Sequence, residues 1–147
     1  MSTATSPTLG TRTRETAVGA STRAGAGARG AYGLLHFAFT VAPIAAGLDK
    51  FFHILVDWDR YLPAVANRLL GGHGHEFMLL AGVVEIAAGV GVALRPRIFA
   101  YVVAAWLWLI IINLLLIPGY FDIALRDFGL SLGALALGRL SADFSAR

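Results

Sequence analysis

The segment YVVAAWLWLIIINLLLIPGY, residues 101–120, decides the fold class. It contains no charged side chain, and Asn113 is the one amide-bearing residue within it. A helix of about 20 apolar residues crosses the roughly 30 Å hydrocarbon core of a bilayer. Because backbone groups in lipid must be hydrogen-bonded within their own segment, the stretch predicts a transmembrane helix over residues 98–117.

Three further apolar segments have similar lengths, and they predict helices over residues 32–56, 76–94 and 123–140. Short turns at residues 95–97 and 118–122 separate the last three. The segment 57–75 has aromatic and apolar residues at near-helical spacing, which is typical of a helix lying in the membrane interface. We therefore predict an all-α fold, an antiparallel four-helix transmembrane bundle over residues 31–141.

Composition supports a membrane protein. Of the 147 residues, 57% are apolar and 14% are charged, whereas soluble domains are about 25% charged. Residues 1–30 are rich in Ser, Thr, Ala, Gly and Arg and have few large apolar side chains, so we predict a disordered cytoplasmic tail. The chain has no cysteine, which excludes disulfides, iron–sulfur clusters and thiol catalysis.

Basic residues predict the orientation of the bundle. Because cytoplasmic loops carry the excess of Lys and Arg, eight arginines on one side against two on the other predict that both termini lie in the cytoplasm. We interpret the positive charge as a signal of membrane orientation. We expect the protein to contact the lipid bilayer and not to bind nucleic acid. The eight are Arg12, Arg14, Arg23, Arg29, Arg95, Arg97, Arg139 and Arg147, and the two are Arg60 and Arg68.

Polar side chains within the apolar segments are the candidate site. A charge at the centre of a bilayer costs about 2.5–3.5 kcal/mol on the mildest scale, and facing charges on neighbouring helices offset that cost. We expect Lys50 to meet Glu85 or Asp127, and Arg126 to meet Asp49, in a ligand-binding pocket in the outer leaflet. Alternatively, most of these groups reach the interface, or the pairs only fix helix register. The candidate ligand-binding residues are Asp49, Lys50, His53, Glu85, Asn113, Arg126 and Asp127.

The histidines do not indicate a cofactor. His36 and His53 lie on one helix about 25 Å apart, so they cannot ligate one haem iron. The sequence HGHE at residues 73–76 falls in a predicted glycine loop, which supplies neither fixed geometry nor outer-shell partners. We therefore expect no metal site, and no nucleophile–base pair or phosphate loop is evident.

Three motifs resemble the DoxX-like family of small membrane proteins: GLDK at residues 47–50, GVVEIAAG at 82–89 and DIALRDFGLSLGALAL at 122–137. The resemblance covers about residues 32–141. It implies a four-helix membrane bundle and matches Lys50, Glu85, Arg126 and Asp127 to recurring polar positions of the family. Founding members are described as subunits of a terminal quinol oxidase or a thiosulfate–quinone oxidoreductase.

Together these features predict a redox-associated accessory subunit or a binder of a small quinone-like molecule, without catalytic activity of its own. No cofactor site is evident in the sequence, and a quinone is the ligand that the resemblance suggests. A redox partner subunit and an oligomeric assembly both stay open. The alternatives are a structural or assembly subunit of a membrane complex and, with less support, a small transporter.

Overall fold

The computed structural model describes residues 9–145, and side chains from position 21 to 144 except at 23 and 65. Its helices are α1 Leu9–Phe52, α2 Ala64–Leu69, α3 Gly74–Leu94, α4 Pro96–Leu115 and α5 Phe121–Ser145, with a 3₁₀ turn at Trp58–Tyr61. No strand occurs in this part of the chain. The prediction of an all-α fold is confirmed.

Within the described residues, three helices are long and apolar enough to cross a membrane: residues Ala24–Phe52 of α1, α3 and α4. Large apolar side chains such as Leu34, Leu80 and Leu109 are exposed on their outer faces. An apolar surface of this extent is typical of contact with lipid. Charged residues, among them Asp122, Arg126 and Asp127, interrupt the apolar pattern of α5.

The first helix is longer at its start and shorter at its end than predicted. Residues 9–30 are helical and form the first half of α1, so the predicted disorder of residues 1–30 is not confirmed. Residues 1–8 lie outside the described part. Five alanines and four arginines in residues 9–30 favour helix, five glycines there oppose it, and no proline occurs between Leu9 and Pro43. The helix ends at Phe52, whereas the apolar run had predicted residue 56.

The helices pack chiefly in two pairs, α1 against α3 and α4 against α5. A core joins both pairs near the turn at Arg95, with Val92, Ala100 and Leu137 buried at its centre. A smaller core of Ile111, Leu114 and Ala124 lies between α4 and α5 at the opposite end. We call this opposite end the loop end, because the connection 53–73 and the turn 116–120 lie there.

Candidate functional site

The side chain of Asp49, in the last turn of α1, binds the chain that follows the helix. Its Oδ1 accepts hydrogen bonds of 2.9 Å from the backbone N–H groups of Ile54 and Leu55, and its Oδ2 accepts one of 2.7 Å from Trp58 Nε1. The backbone N–H of Val56 also donates to Oδ2, at 3.4 Å. One buried carboxylate therefore satisfies three backbone donors after the helix and folds the connection back over the end of α1.

Lys50 and Glu85 form a buried ion pair between α1 and α3. Lys50 Nζ lies 2.6 Å from Glu85 Oε2, and the two side chains are only 4% and 9% exposed. Two indoles complete the polar cluster: Lys50 Nζ lies 3.7 Å from the ring centroid of Trp58, and Trp106 Nε1 donates to Glu85 Oε1 at 3.2 Å. The cluster thus links α1, α3, α4 and the loop-end connection.

Glycines bring α1 and α3 close enough for this pair to form. A Cβ added to Gly82 would lie 2.8 Å from the carbonyl oxygen of Gly47, and one added to Gly89 would lie 2.8 Å from the carbonyl oxygen of Thr40. Small residues permit such backbone contact between helices in lipid. Since Gly82 and Gly89 flank Glu85 on α3, the same face that packs on α1 also presents the carboxylate to Lys50.

The polar residues of α4 and α5 form separate contacts. Arg126 Nε donates to Asp127 Oδ1 at 3.2 Å, and the Asp127 side chain is buried whereas that of Arg126 is largely exposed. Asn113 Nδ2 donates to the carbonyl oxygen of Tyr61 at 2.7 Å, which fastens α4 to the loop-end connection. The expected Arg126–Asp49 pair is therefore wrong, because Asp49 binds the chain that follows it and Arg126 binds its sequence neighbour.

A cavity of about 870 Å³ separates the two helix pairs. Most of its lining is apolar, from residues such as Leu35, Ala46 and Leu130, and every long helix contributes the half nearest the loop end. Trp58 and Tyr61 line it from the connection. Its polar lining comprises Lys50, Glu85, Asn113, Arg126 and Asp127 together with the edges of Trp58, Tyr61 and Trp106.

Five of the seven predicted site residues therefore line one cavity, and Asp49 and His53 do not. Sequence reasoning did not identify Trp106 as a partner of Glu85. Trp106 and Asn113 are seven residues apart on α4 and so share a face, which was an available signal. The contact of Trp58 with Lys50 depends on an irregular connection, for which periodicity gives no signal.

His53 lies outside the cavity, next to His75. The imidazole rings stack with centroids 5.8 Å apart, and His75 Nδ1 lies 3.0 Å from Asp59 Oδ2. The sequence had suggested a flexible glycine loop around His75, but that residue lies in the first turn of α3. The three side chains are exposed at the loop end.

Comparisons with models of known protein families, with curated proteins and with solved structures find no match. Over the part of the chain that the structure describes, fold and site define the class as an all-helical protein with three helices apolar enough to span a membrane and a buried ion pair between two of them. The DoxX-like resemblance stays a prediction from the three sequence motifs.

Proposed function

We propose that this chain is a multi-pass protein of the bacterial inner membrane, DoxX-like in type, with four antiparallel spans and a binding cavity for a small quinone-like molecule. The fourth span would be α5, whose charged residues Arg126 and Asp127 contact each other at the cavity wall. The arginine asymmetry supports cytoplasmic termini, and with that orientation the loop end and the cavity would lie in the outer leaflet.

The observation that carries the proposal is the cavity itself. Its volume of about 870 Å³ lies within the range of about 300–1,000 Å³ that small-molecule sites occupy, and such sites combine apolar walls with a few polar groups. A quinone has the matching chemistry: an apolar tail and two carbonyl oxygens that accept hydrogen bonds. The apolar wall suits the tail, and the polar lining suits the head group.

Arg126 is the strongest candidate for recognition of a head group. Among the described residues its side chain bonds to Asp127 through Nε, and a guanidinium carries further N–H donors at its terminal nitrogens. Lys50 is a second donor, although it forms an ion pair with Glu85. Glu85 and Asp127 are the candidate proton acceptors if the head group is reduced and oxidised by a partner subunit.

The test is a titration of the purified protein in detergent with a short-chain quinone. Quenching of tryptophan fluorescence is the readout. Two of the three tryptophans, Trp58 and Trp106, line the cavity. We expect saturable quenching by the quinone and none by an alcohol with the same alkyl tail. Losing a charged hydrogen bond of about 1.5–3 kcal/mol should weaken binding roughly tenfold to a hundredfold in Arg126→Ala.

Two further variants sharpen this titration. Ala46→Phe places a large ring in the cavity wall and should abolish binding. Arg97→Ala is the matched control, because Arg97 is an exposed arginine on α4 that does not line the cavity. Equal affinities in wild type, Arg126→Ala and Ala46→Phe, or the absence of saturable binding, would refute the proposal.

One observation favours a second candidate, a structural or assembly subunit. In the part of the chain with described side chains, every fully buried polar side-chain atom has a protein partner, so the polar cluster is complete without a ligand. In that case Lys50→Met combined with Glu85→Leu should leave both the fold and any cellular phenotype unchanged. A small transporter has less support, since four helices are few for alternating access.

A further inference from the structure

Three metal-binding side chains converge at the loop end from three separate segments. They are His53, which follows α1, Asp59 in the 3₁₀ turn, and His75 in the first turn of α3. One ligand atom from each lies within 4.8 Å of the other two. Since residues 53 and 75 are far apart in sequence, the fold itself creates this convergence.

The set of donors has a defined metal preference. Imidazole nitrogen suits zinc, copper, nickel and iron, and two imidazoles with one carboxylate are a recurrent set for divalent transition metals. Bonds of about 2.0–2.2 Å to a tetrahedral ion place ligand atoms about 3.3–3.5 Å apart. His75 Nδ1 and Asp59 Oδ2 are 3.0 Å apart, and all three ligand atoms lie within 4.8 Å of one another, so binding an ion requires the exposed side chains to rotate toward these shorter distances. We infer that His53, Asp59 and His75 bind a divalent transition-metal ion, with zinc as the reference ion and water in the fourth position.

The backbone holds all three ligands in place. His53 has φ of 52°, the only positive φ at a non-glycine residue in the described chain, and its N–H donates to the Asp49 carbonyl oxygen at 2.7 Å. A left-handed residue with this backbone bond is a common way to end a helix, and histidine is among the side chains that tolerate it, so the end of α1 fixes the backbone of His53. Asp59 directly follows Trp58 in the 3₁₀ turn, and the Trp58 indole N–H donates to Asp49 Oδ2.

The third ligand is equally well supported. Gly74, which precedes His75, is buried so tightly that an added Cβ would lie 2.5 Å from Leu62 and 2.6 Å from the Asn67 side chain. Its N–H also donates to Asn67 Oδ1 at 3.1 Å. The ligands therefore stand on fixed backbone, which removes the objection that the sequence had raised against a metal here.

A bound ion would connect the end of α1, the 3₁₀ turn and the start of α3. The turn carries Trp58 and Tyr61, which line the cavity at the loop end. The ion would thus hold the segment that covers the cavity, and this role does not depend on which molecule the cavity accepts.

The experiment uses full-length protein without a histidine tag, treated with chelator and titrated with Zn²⁺ by calorimetry and with Co²⁺ by absorption. We expect one ion per chain, a cobalt spectrum typical of tetrahedral coordination, and weaker binding at acidic pH because protons compete for imidazole nitrogen. Each of His75→Ala, Asp59→Asn and His53→Asn should weaken binding by at least about tenfold. Asparagine is chosen at position 53 because it tolerates positive φ.

His73→Ala is the matched control. His73 is exposed and close in sequence, but its Nδ1 faces the carbonyl oxygen of Leu70 at 3.2 Å and it is not one of the three ligands. The control should bind zinc as the wild type does, and zinc should raise the melting temperature of both but not of His75→Ala. No binding at micromolar zinc would overturn the inference, as would an equal loss of affinity in His73→Ala and His75→Ala.

Discussion

Replacing Lys50 by methionine removes one partner of the buried ion pair and leaves Glu85 with the Trp106 N–H. At an effective dielectric constant of about 20, unit charges 2.6 Å apart attract by about 6 kcal/mol. Desolvation of the two ions, at several kcal/mol each, offsets most of that gain. The pair should therefore add little net stability, whereas an orphaned charge should cost much.

We accordingly expect Lys50→Met and Glu85→Leu each to lower the free energy of unfolding by about 3–5 kcal/mol, and the double variant to lie within about 1 kcal/mol of wild type. The assay is detergent-induced equilibrium unfolding of the wild type, the two single variants and the double variant, with circular dichroism as the readout. The single losses sum to about 6–10 kcal/mol, so the coupling energy of this cycle should be at least about 5 kcal/mol. Additive losses in the double variant would refute the reasoning that each charge is tolerated because of the other.

The exposed pair of Arg60 and Asp57 provides the matched control. Its Nε–Oδ2 distance is 3.2 Å, but the side chains are 76% and 53% exposed. The same cycle, Arg60→Met with Asp57→Leu, should give a coupling energy below about 1 kcal/mol, because water screens the two charges.

Two further predictions concern the packing of α1 and the turn that follows it. Gly47→Ala should lower the free energy of unfolding by about 1–3 kcal/mol in the same assay, because the new Cβ would lie 2.5 Å from the Gly82 carbonyl oxygen. Gly33→Ala, where an added Cβ meets nothing within 4 Å, should be neutral or slightly stabilising. Equal effects of the two substitutions would contradict the close contact. Asp49→Ala should leave three backbone N–H donors without their acceptor. Each donor that water does not reach should cost about 1–3 kcal/mol of stability. Hydrogen-exchange mass spectrometry should show faster exchange of the backbone just after α1. Asp57→Ala, at an exposed neighbouring residue, should leave that exchange unchanged. Unchanged exchange in Asp49→Ala would argue against the hydrogen bonds from residues 54–56 to its carboxylate.

The helices that are easiest to predict from the sequence are those whose apolar pattern alone determines them. The long uncharged run of α4 and the apolar run of α3 each predict a helix, and the structure begins α3 at Gly74 and ends it at Leu94. The encounter of Lys50 with Glu85 also follows from physical reasoning, because each buried charge needs a partner and the glycines of α3 mark its contact face.

The remaining features depend on contacts that periodicity does not encode. Apolar character continues through Phe52 to Val56, so nothing in the pattern ends α1 where the Asp49 carboxylate ends it. Asp49 was assigned to the pocket because it is charged, yet its acceptors are used by neighbouring backbone. The meeting of His53 with His75 likewise depends on the path of the connection, which only the folded chain defines.

The ion pair between α1 and α3 has a consequence for biogenesis. If these helices enter the bilayer in the order of their synthesis, α1 arrives first with Lys50 near its end, and Glu85 follows in the middle of α3. Integration of α3 alone would be opposed by its carboxylate, whereas a docked α1 offers the countercharge and a glycine-lined surface. The growing chain should therefore release α3 into lipid more readily beside α1 than alone, which couples the insertion of the two helices.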